Sequence, residues 1–450
     1  MTHRFIHIDR VIAGALGGVS AGVTRTCFPL ALAALAALGV AACGGAADTG
    51  KPTLTWYINP DPAPPPGLEG PFGQPGIAAR CSTAGYTIRT AQLPTSASEQ
   101  RIQLARRLAA GDDSIDLVSL DPVFTAEFAD AGFLAPIPPE RQRSFADGVL
   151  AGAIEGAMWE GELAVVPMWA NTQVLWYRKS FAERVGLDME RPVTWDMIID
   201  VAASHGGKVG VQANKYEGYV VWINALIKGA GGEIVSDVEA GDDATVNLAS
   251  DAGAEAARIV RKLATSPAAE ADLSVSNEGT VLGPFAQAGG FQVNWSFVYT
   301  HYPENSVVRD DIGWARYPRT AAGQPSRPPI GGINIGIGAA TRHPGEALEA
   351  VACITSLENQ VRFAIETGQM PALEAAYDAP GLTNRFPADL LALYRESIEE
   401  AGARPATPYW ATIVNAILSR WHPPRSVDPG KTPEQSERFV RSVLRGDALT

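Results

Sequence analysis

What the chain lacks narrows it first. Histidine is scarce, and His205, His301, His343 and His422 are scattered with no HExxH spacing, which excludes a zinc-hydrolase helix. After residue 42 neither a Gly-x-Ser-x-Gly elbow nor a P-loop occurs, so serine-hydrolase chemistry and nucleotide hydrolysis have no local carrier there. Basic side chains are the minority, 36 against 49 acidic, for a net charge of −13. Nucleic-acid binding wants a basic face, and this balance argues against it. After residue 42 no apolar run approaches the roughly 20 residues that a bilayer span needs.

The front of the chain indicates a compartment. Arg4, Arg10 and Arg25 precede the apolar stretch Phe28–Ala42, which ends at Cys43. A positive flank, a short apolar run and small residues before a cut are the parts of a secretory signal. Val40-Ala-Ala-Cys43 reads as a lipobox, so residues 1–42 are expected to be a lipoprotein signal peptide. Cys43 would then be the lipidated end of the mature chain and residues 43–51 a lipidated tether. An ordinary signal peptide cut nearby, with Cys43 incidental, is the alternative. The expected location is the extracytoplasmic face of a bacterial cell membrane, held through the lipid anchor only.

Without residues 1–42 the chain keeps 408 residues, 33 basic and 48 acidic, a net charge of −15. That length exceeds what one hydrophobic core organises, so two lobes are expected. Cys81 and Cys353 remain as an even pair in an oxidising compartment and are expected to form a disulfide, with two separately buried thiols as the alternative.

Leu54–Ile58 is a β-rich run that reads as a first strand. The Pro- and Gly-dense stretch from Asn59 to Gly76 reads as a long loop. Tyr86–Leu93 is a second strand. Ser96-Ala-Ser-Glu99 has the capping-box pattern ahead of a helix over Gln100–Ala110, with Gly111 as its stop. Ser114–Leu120 reads as a buried strand running into Asp121-Pro122, a cap and first position for a helix through Phe128. Strand–helix–strand alternation implies an α/β lobe with a mostly parallel sheet. Glu162–Tyr177 reads as two short strands around a kink at Pro167. Thr194–Met197 opens a helix, and Tyr219–Ala230 is a mostly apolar helix. Phe291–Phe297 and Ile330–Ile337 are strands, a helix lies around Glu346–Glu358, and the part from Pro387 onward is mainly helical.

The order of these blocks carries a resemblance. Behind the lipobox stand Leu93–Leu108, Asp116–Asp121, Thr125–Leu134, Asn171–Tyr177, Gln212–Tyr219, Val293–Phe297, Ile330–Asn334 and Arg404–Tyr409. Together they resemble the carbohydrate-binding lipoproteins of ABC importers over almost the whole mature chain. Within that family they are most similar to the trehalose-binding lipoproteins of mycobacteria and related actinobacteria. The resemblance implies an α/β, two-lobe Venus-flytrap fold of the periplasmic-binding-protein type, with its ligand cleft at the hinge. Residues 52–167 plus 310–355 would form the α/β first lobe, and 168–309 plus 356–450 the mainly helical second. It also implies a disaccharide ligand, trehalose favoured, with no cofactor and no metal. A monomer would hand that sugar to permease subunits driven by a separate ATPase.

Sugar recognition needs planar polar groups that grip vicinal hydroxyls and aromatic faces that cover ring C–H groups. In open α/β sheets such groups gather at the carboxyl ends of strands. Asp121 follows a strand, as a helix cap or, by the resemblance, as an acceptor for sugar hydroxyls. Asn171 stands where the chain should cross between lobes, as a turn residue or a ligand contact. Beside it, Trp169 replaces the family's expected Thr and would narrow the pocket. Trp295 matches the family's stacking Trp, with a core role as its alternative. Glu278 opens an expected helix, where it could serve the dipole or the ligand. Gly331 and Gly332 permit close backbone approach to a sugar, or a bulge. Arg404 matches the family's sugar-contacting Arg, with an interlobe salt bridge as the structural alternative. Asn59 and Asp61 lie in the first loop, where the family contacts ligand, although this Pro-rich loop departs from the family's pattern.

Other readings stay open at this level. A secreted glycosidase could pair Asp121 with Glu278, but the order of blocks follows binding proteins and no enzyme is expected. The same binding class could take a maltose-type sugar or a glycerophosphodiester. A lipid-anchored adhesion or scaffold protein would need no small ligand at all.

Overall fold

The computed structural model describes residues 50–60 and 70–450. The signal segment, Cys43 and Asp61 lie outside the described residues. Among the described residues an eight-stranded sheet forms the frame. Its strands are β1 (Thr53–Ile58), β2 (Thr87–Gln92), β3 (Leu117–Leu120), β4 (Val166–Arg178), β5 (Lys208–Gly210), β6 (Gly290–Trp295), β7 (Ile312–Ala315) and β8 (Ile330–Ile337). They lie in the order β2-β1-β3-β8-β4-β6-β5, with β7 also against β4.

β4 is the strand that both halves share. Its thirteen residues extend about 40 Å at roughly 3.3 Å each, and they are buried from Val166 to Trp176. The first half pairs antiparallel with β8, from Val166↔Ile335 to Thr172↔Ile330. The second half pairs antiparallel with β6, from Gln173↔Trp295 to Tyr177↔Phe291. The parallel strands β2, β1 and β3 continue the first half, and β5 continues the second. This is a mixed α/β, two-lobed architecture.

The single strand corrects the expectation of two short strands kinked at Pro167. A proline brings no backbone donor to a ladder. Here the register of β8 shifts between Ile333 and Asn334, opposite Pro167, and that bulge accommodates it.

Helices cover the sheet: α1 (Gly73–Cys81), α2 (Ala97–Ala109), α3 (Trp195–His205), α4 (Glu217–Gly229), α5 (Pro344–Ile354), α6 (Leu357–Thr367) and α7 (Trp410–Trp421) are used below. The loop expected through Gly76 ends earlier, because α1 starts at Gly73. Pro75 falls within its first turn, where backbone N–H groups lack helical partners in any case. Buried Phe72 and Ile77 hold that turn against the core. The capping box at Ser96 is not formed: α2 begins at Ala97, but the Ser96 hydroxyl makes no cap bond. Asp121 and Thr194 do cap, accepting from the N–H groups of Val123 and Met197 at 3.2 Å each. The helix expected around Glu346–Glu358 is two helices, with Ser356 capping the second.

Cys81, closing α1, and Cys353, in α5, form a disulfide with Cα atoms 5.7 Å apart. α6 joins the same group through Arg80 to Asn359 and Gly73 to Glu366, both at 3.0 Å. β7 instead pairs with Leu175–Arg178 at the far end of β4. We therefore propose that the returning part of the first lobe starts at β8, not at residue 310, and continues through α6.

The disulfide closes a loop of 272 residues, and the chain-entropy model assigns such a loop about 5 kcal/mol. Cys353→Ser is therefore expected to lower the melting temperature by several degrees in calorimetry. An unchanged transition would show that the bridge adds nothing to stability.

Candidate ligand-binding site

Where β4 passes from one half of the sheet to the other, the ends of β3, β6 and β8 meet it around a cleft of about 270 Å³. Asn59, Asp121, Asn171, Glu278, Trp295, Gly331, Gly332 and Arg404 all line it. Every candidate within the described residues is thus brought to one place. Their roles in the walls differ.

Arg404 sits under the cleft with only 4% of its side chain exposed. It donates to Asp121 Oδ1 at 2.8 Å, to Glu217 Oε1 at 2.8 Å and to the Ile330 carbonyl at 3.4 Å. Glu217, the first residue of α4, is buried as well and also accepts from the Trp410 indole at 3.2 Å, at the start of α7. Burial works to lower the Arg404 pKa, but Asp121 and Glu217 more than offset it and hold the guanidinium above its usual value. Burial pushes the Glu217 carboxyl up, and the Arg404 charge opposes that rise. The salt-bridge reading of Arg404 and the cap reading of Asp121 are both realised.

Asn171 lies inside β4, opposite Gly331, and not in a crossing turn. Its Oδ1 accepts from the Met370 N–H and the Ser296 hydroxyl, each at 3.1 Å, and its amide nitrogen donates to Gln369. The amide is occupied by protein at both ends. Gly332 has φ +141°, and a Cβ there would stand 2.2 Å from the Trp169 carbonyl, so this glycine serves the close strand approach at the bulge. A Cβ on Gly331 would come within 3.0 Å of the Trp295 ring, so Gly331 is the seat on which that indole rests. Trp169 lines the cleft and packs on Phe363, with ring centroids 4.8 Å apart.

Trp295 ends β6 half-buried and hydrogen-bonds Glu278. Glu278 does not open a helix. It sits in a turn in which Asn277 accepts from the N–H groups of Gly279 and Thr280 at 3.0 Å, and the next helix starts at Leu282. Its carboxylate also accepts from the Tyr216 hydroxyl at 2.7 Å. Burial raises the Glu278 carboxyl, and the donors around it oppose that rise. Asn59 donates to Gln100 at 2.7 Å, while its Oδ1 is buried with no partner among the described residues. An acceptor in that state is an exception that calls for a donor.

Sequence reasoning missed Glu217, Tyr216, Gln100 and Gln369, all of which line the cleft. Glu217 lies inside the Gln212–Tyr219 block, but an acid in a first helical turn reads as a dipole partner. Nothing in the local sequence marks Gln369.

The sequence pattern of one family, described as bacterial extracellular solute-binding protein, matches residues 78–361. A probable ABC transporter-binding protein of Deinococcus radiodurans is 24% identical over 349 residues, covering 74% of this chain and 79% of that protein. Thiaminase-1 of Paenibacillus thiaminolyticus is 29% identical over only 103 residues, 24% of its length. Among solved structures, maltose-bound MalE3 of T. maritima superposes with a TM-score of 0.74 at 21% identity, covering 88% of this chain and 99% of that one. The GacH receptor of Streptomyces glaucescens, solved unliganded and with acarbose, gives 0.72 at 18% identity with the same coverage. These likenesses establish the two-lobed periplasmic-binding-protein fold.

Removing one member of a buried ion set leaves an uncompensated charge and costs about 3 kcal/mol. Glu217→Ala is expected to lose stability on that scale in guanidinium unfolding. A wild-type midpoint would show that Glu217 contributes nothing to holding Arg404.

Proposed function

The chain belongs to the family of bacterial extracellular solute-binding proteins, and on that premise we propose that it binds a disaccharide in this cleft and delivers it to an ABC permease. The chain is a binding protein and not an enzyme, as its family is. Trehalose is the favoured sugar, because the blocks quoted above resemble the trehalose-binding lipoproteins called LpqY. A maltose-type sugar is the second reading, supported by the maltose and acarbose complexes of the structural neighbours. ATP hydrolysis would belong to a separate subunit. Among the described residues no helix is long and apolar enough to cross a membrane, and we assign attachment to lipidation at Cys43, with the body acting as a monomer.

The observation that carries the sugar reading is the pairing of an aromatic face with acceptors in one cleft. Trp295 is half-buried on Gly331, with Glu278, whose carboxylate is met by neutral donors, and Asn59 lining the same space. Ring C–H groups pack on the indole and hydroxyls donate to the oxygens. Trp295, Glu278, Asn59 and the outer oxygen of Asp121 are the proposed contacts, while Arg404, Asn171 and Gly332 shape the walls. Asp61 is proposed from the resemblance alone.

Calorimetric titration with trehalose and maltose tests this. Trp295→Ala is expected to weaken sugar binding at least tenfold, about 1.4 kcal/mol. The proposal falls if neither sugar binds the wild-type protein or raises its melting temperature.

A further inference from the structure

We propose that Glu278 makes the cleft selective by charge, so that it takes neutral solutes and refuses phosphorylated or carboxylated ones. This rests on reading the cleft as the solute site.

The charged side chains among the lining residues are Asp121, Glu217, Glu278 and Arg404, three acids and one base. An anionic ligand needs that base, and the base is taken. Both terminal nitrogens of Arg404 already face carboxylates, at 2.8 Å to Asp121 and 2.8 Å to Glu217, and one also reaches the Ile330 carbonyl. A phosphate would have to displace the buried Glu217 and the half-buried Asp121 to reach the guanidinium, and each would then be left without its partner.

Glu278 has no such compensation. Its hydrogen-bond donors are the Tyr216 hydroxyl, the Trp295 indole and its own backbone N–H, all neutral. An anion placed beside an unpaired carboxylate meets like-charge repulsion that burial strengthens, whereas a sugar hydroxyl finds a strong acceptor. Burial raises the Glu278 carboxyl, but even its protonated form carries no positive charge to balance a phosphate. A helix N-terminus could attract one, and α4 does begin at the cleft. Its first residue, however, is Glu217, so the protein's own acid already stands in that first turn.

The test is calorimetric titration of the full-length protein at neutral pH with trehalose, maltose, trehalose 6-phosphate and glycerophosphocholine, repeated on Glu278→Gln. In the wild type, trehalose 6-phosphate should bind at least a hundredfold more weakly than trehalose, and glycerophosphocholine should not bind. In Glu278→Gln the ratio between phosphorylated and plain sugar should shrink at least tenfold. Phosphorylated sugar binding within threefold of plain sugar overturns the inference and leaves the sugar reading intact. So does an unchanged ratio in the variant. Binding of glycerophosphocholine without either sugar, or of none of the four, overturns the sugar reading and the inference together. A wild-type ratio within threefold overturns the inference even if the variant fails to fold.

Discussion

A buried guanidinium persists only where carboxylates stand against it, and Arg404 meets that condition by drawing two distant parts of the chain together. Asp121 comes from the end of β3 and Glu217 from the start of α4, so one cation joins the two halves of the sheet at the cleft. The rest of the site follows from that placement. With Arg404 held beneath it, the cleft is lined by Trp295, Glu278, Asn59 and Asp121.

The same logic explains why the small residues of β8 matter. Gly331 leaves room for the indole and Gly332 lets β8 and β4 approach at the bulge. Aromatic face, acceptor oxygens and close backbone approach are therefore consequences of how β4, β6 and β8 meet. Such an arrangement suits a solute that is held, enclosed and released, which is what the family requires of its members.

Local signals were read well where the physics is local. Asp121 and Thr194 bond N–H groups two or three residues ahead, and the sequence pattern announces both. The Ser96 capping box is the exception, and nothing in the structure explains why its hydroxyl stays unbonded. Pro167 misled because the ladder skips the neighbouring Met168 there, and the register that shows this is set by a partner strand more than 160 positions away. Asn171 falls in a strand, as the Glu162–Tyr177 run suggested, but only the facing segment Gln369–Met370 shows what its amide does.

The chain by itself determined the α/β class and the need for two lobes, favoured pairing Cys81 with Cys353 over two separate thiols, and through its resemblance to a known family pointed to part of the set of residues that meet at the cleft. These rest on composition, period and block order, all of which are properties of a linear string. Only the tertiary structure decided which of those residues face the cleft with a free group and which are consumed in holding it. The difference between Arg404 and Glu278 is a matter of partners: one is saturated by acids 283 and 187 residues away, the other is met by neutral donors alone. Partner choice across such separations is set by packing, and no local pattern encodes it.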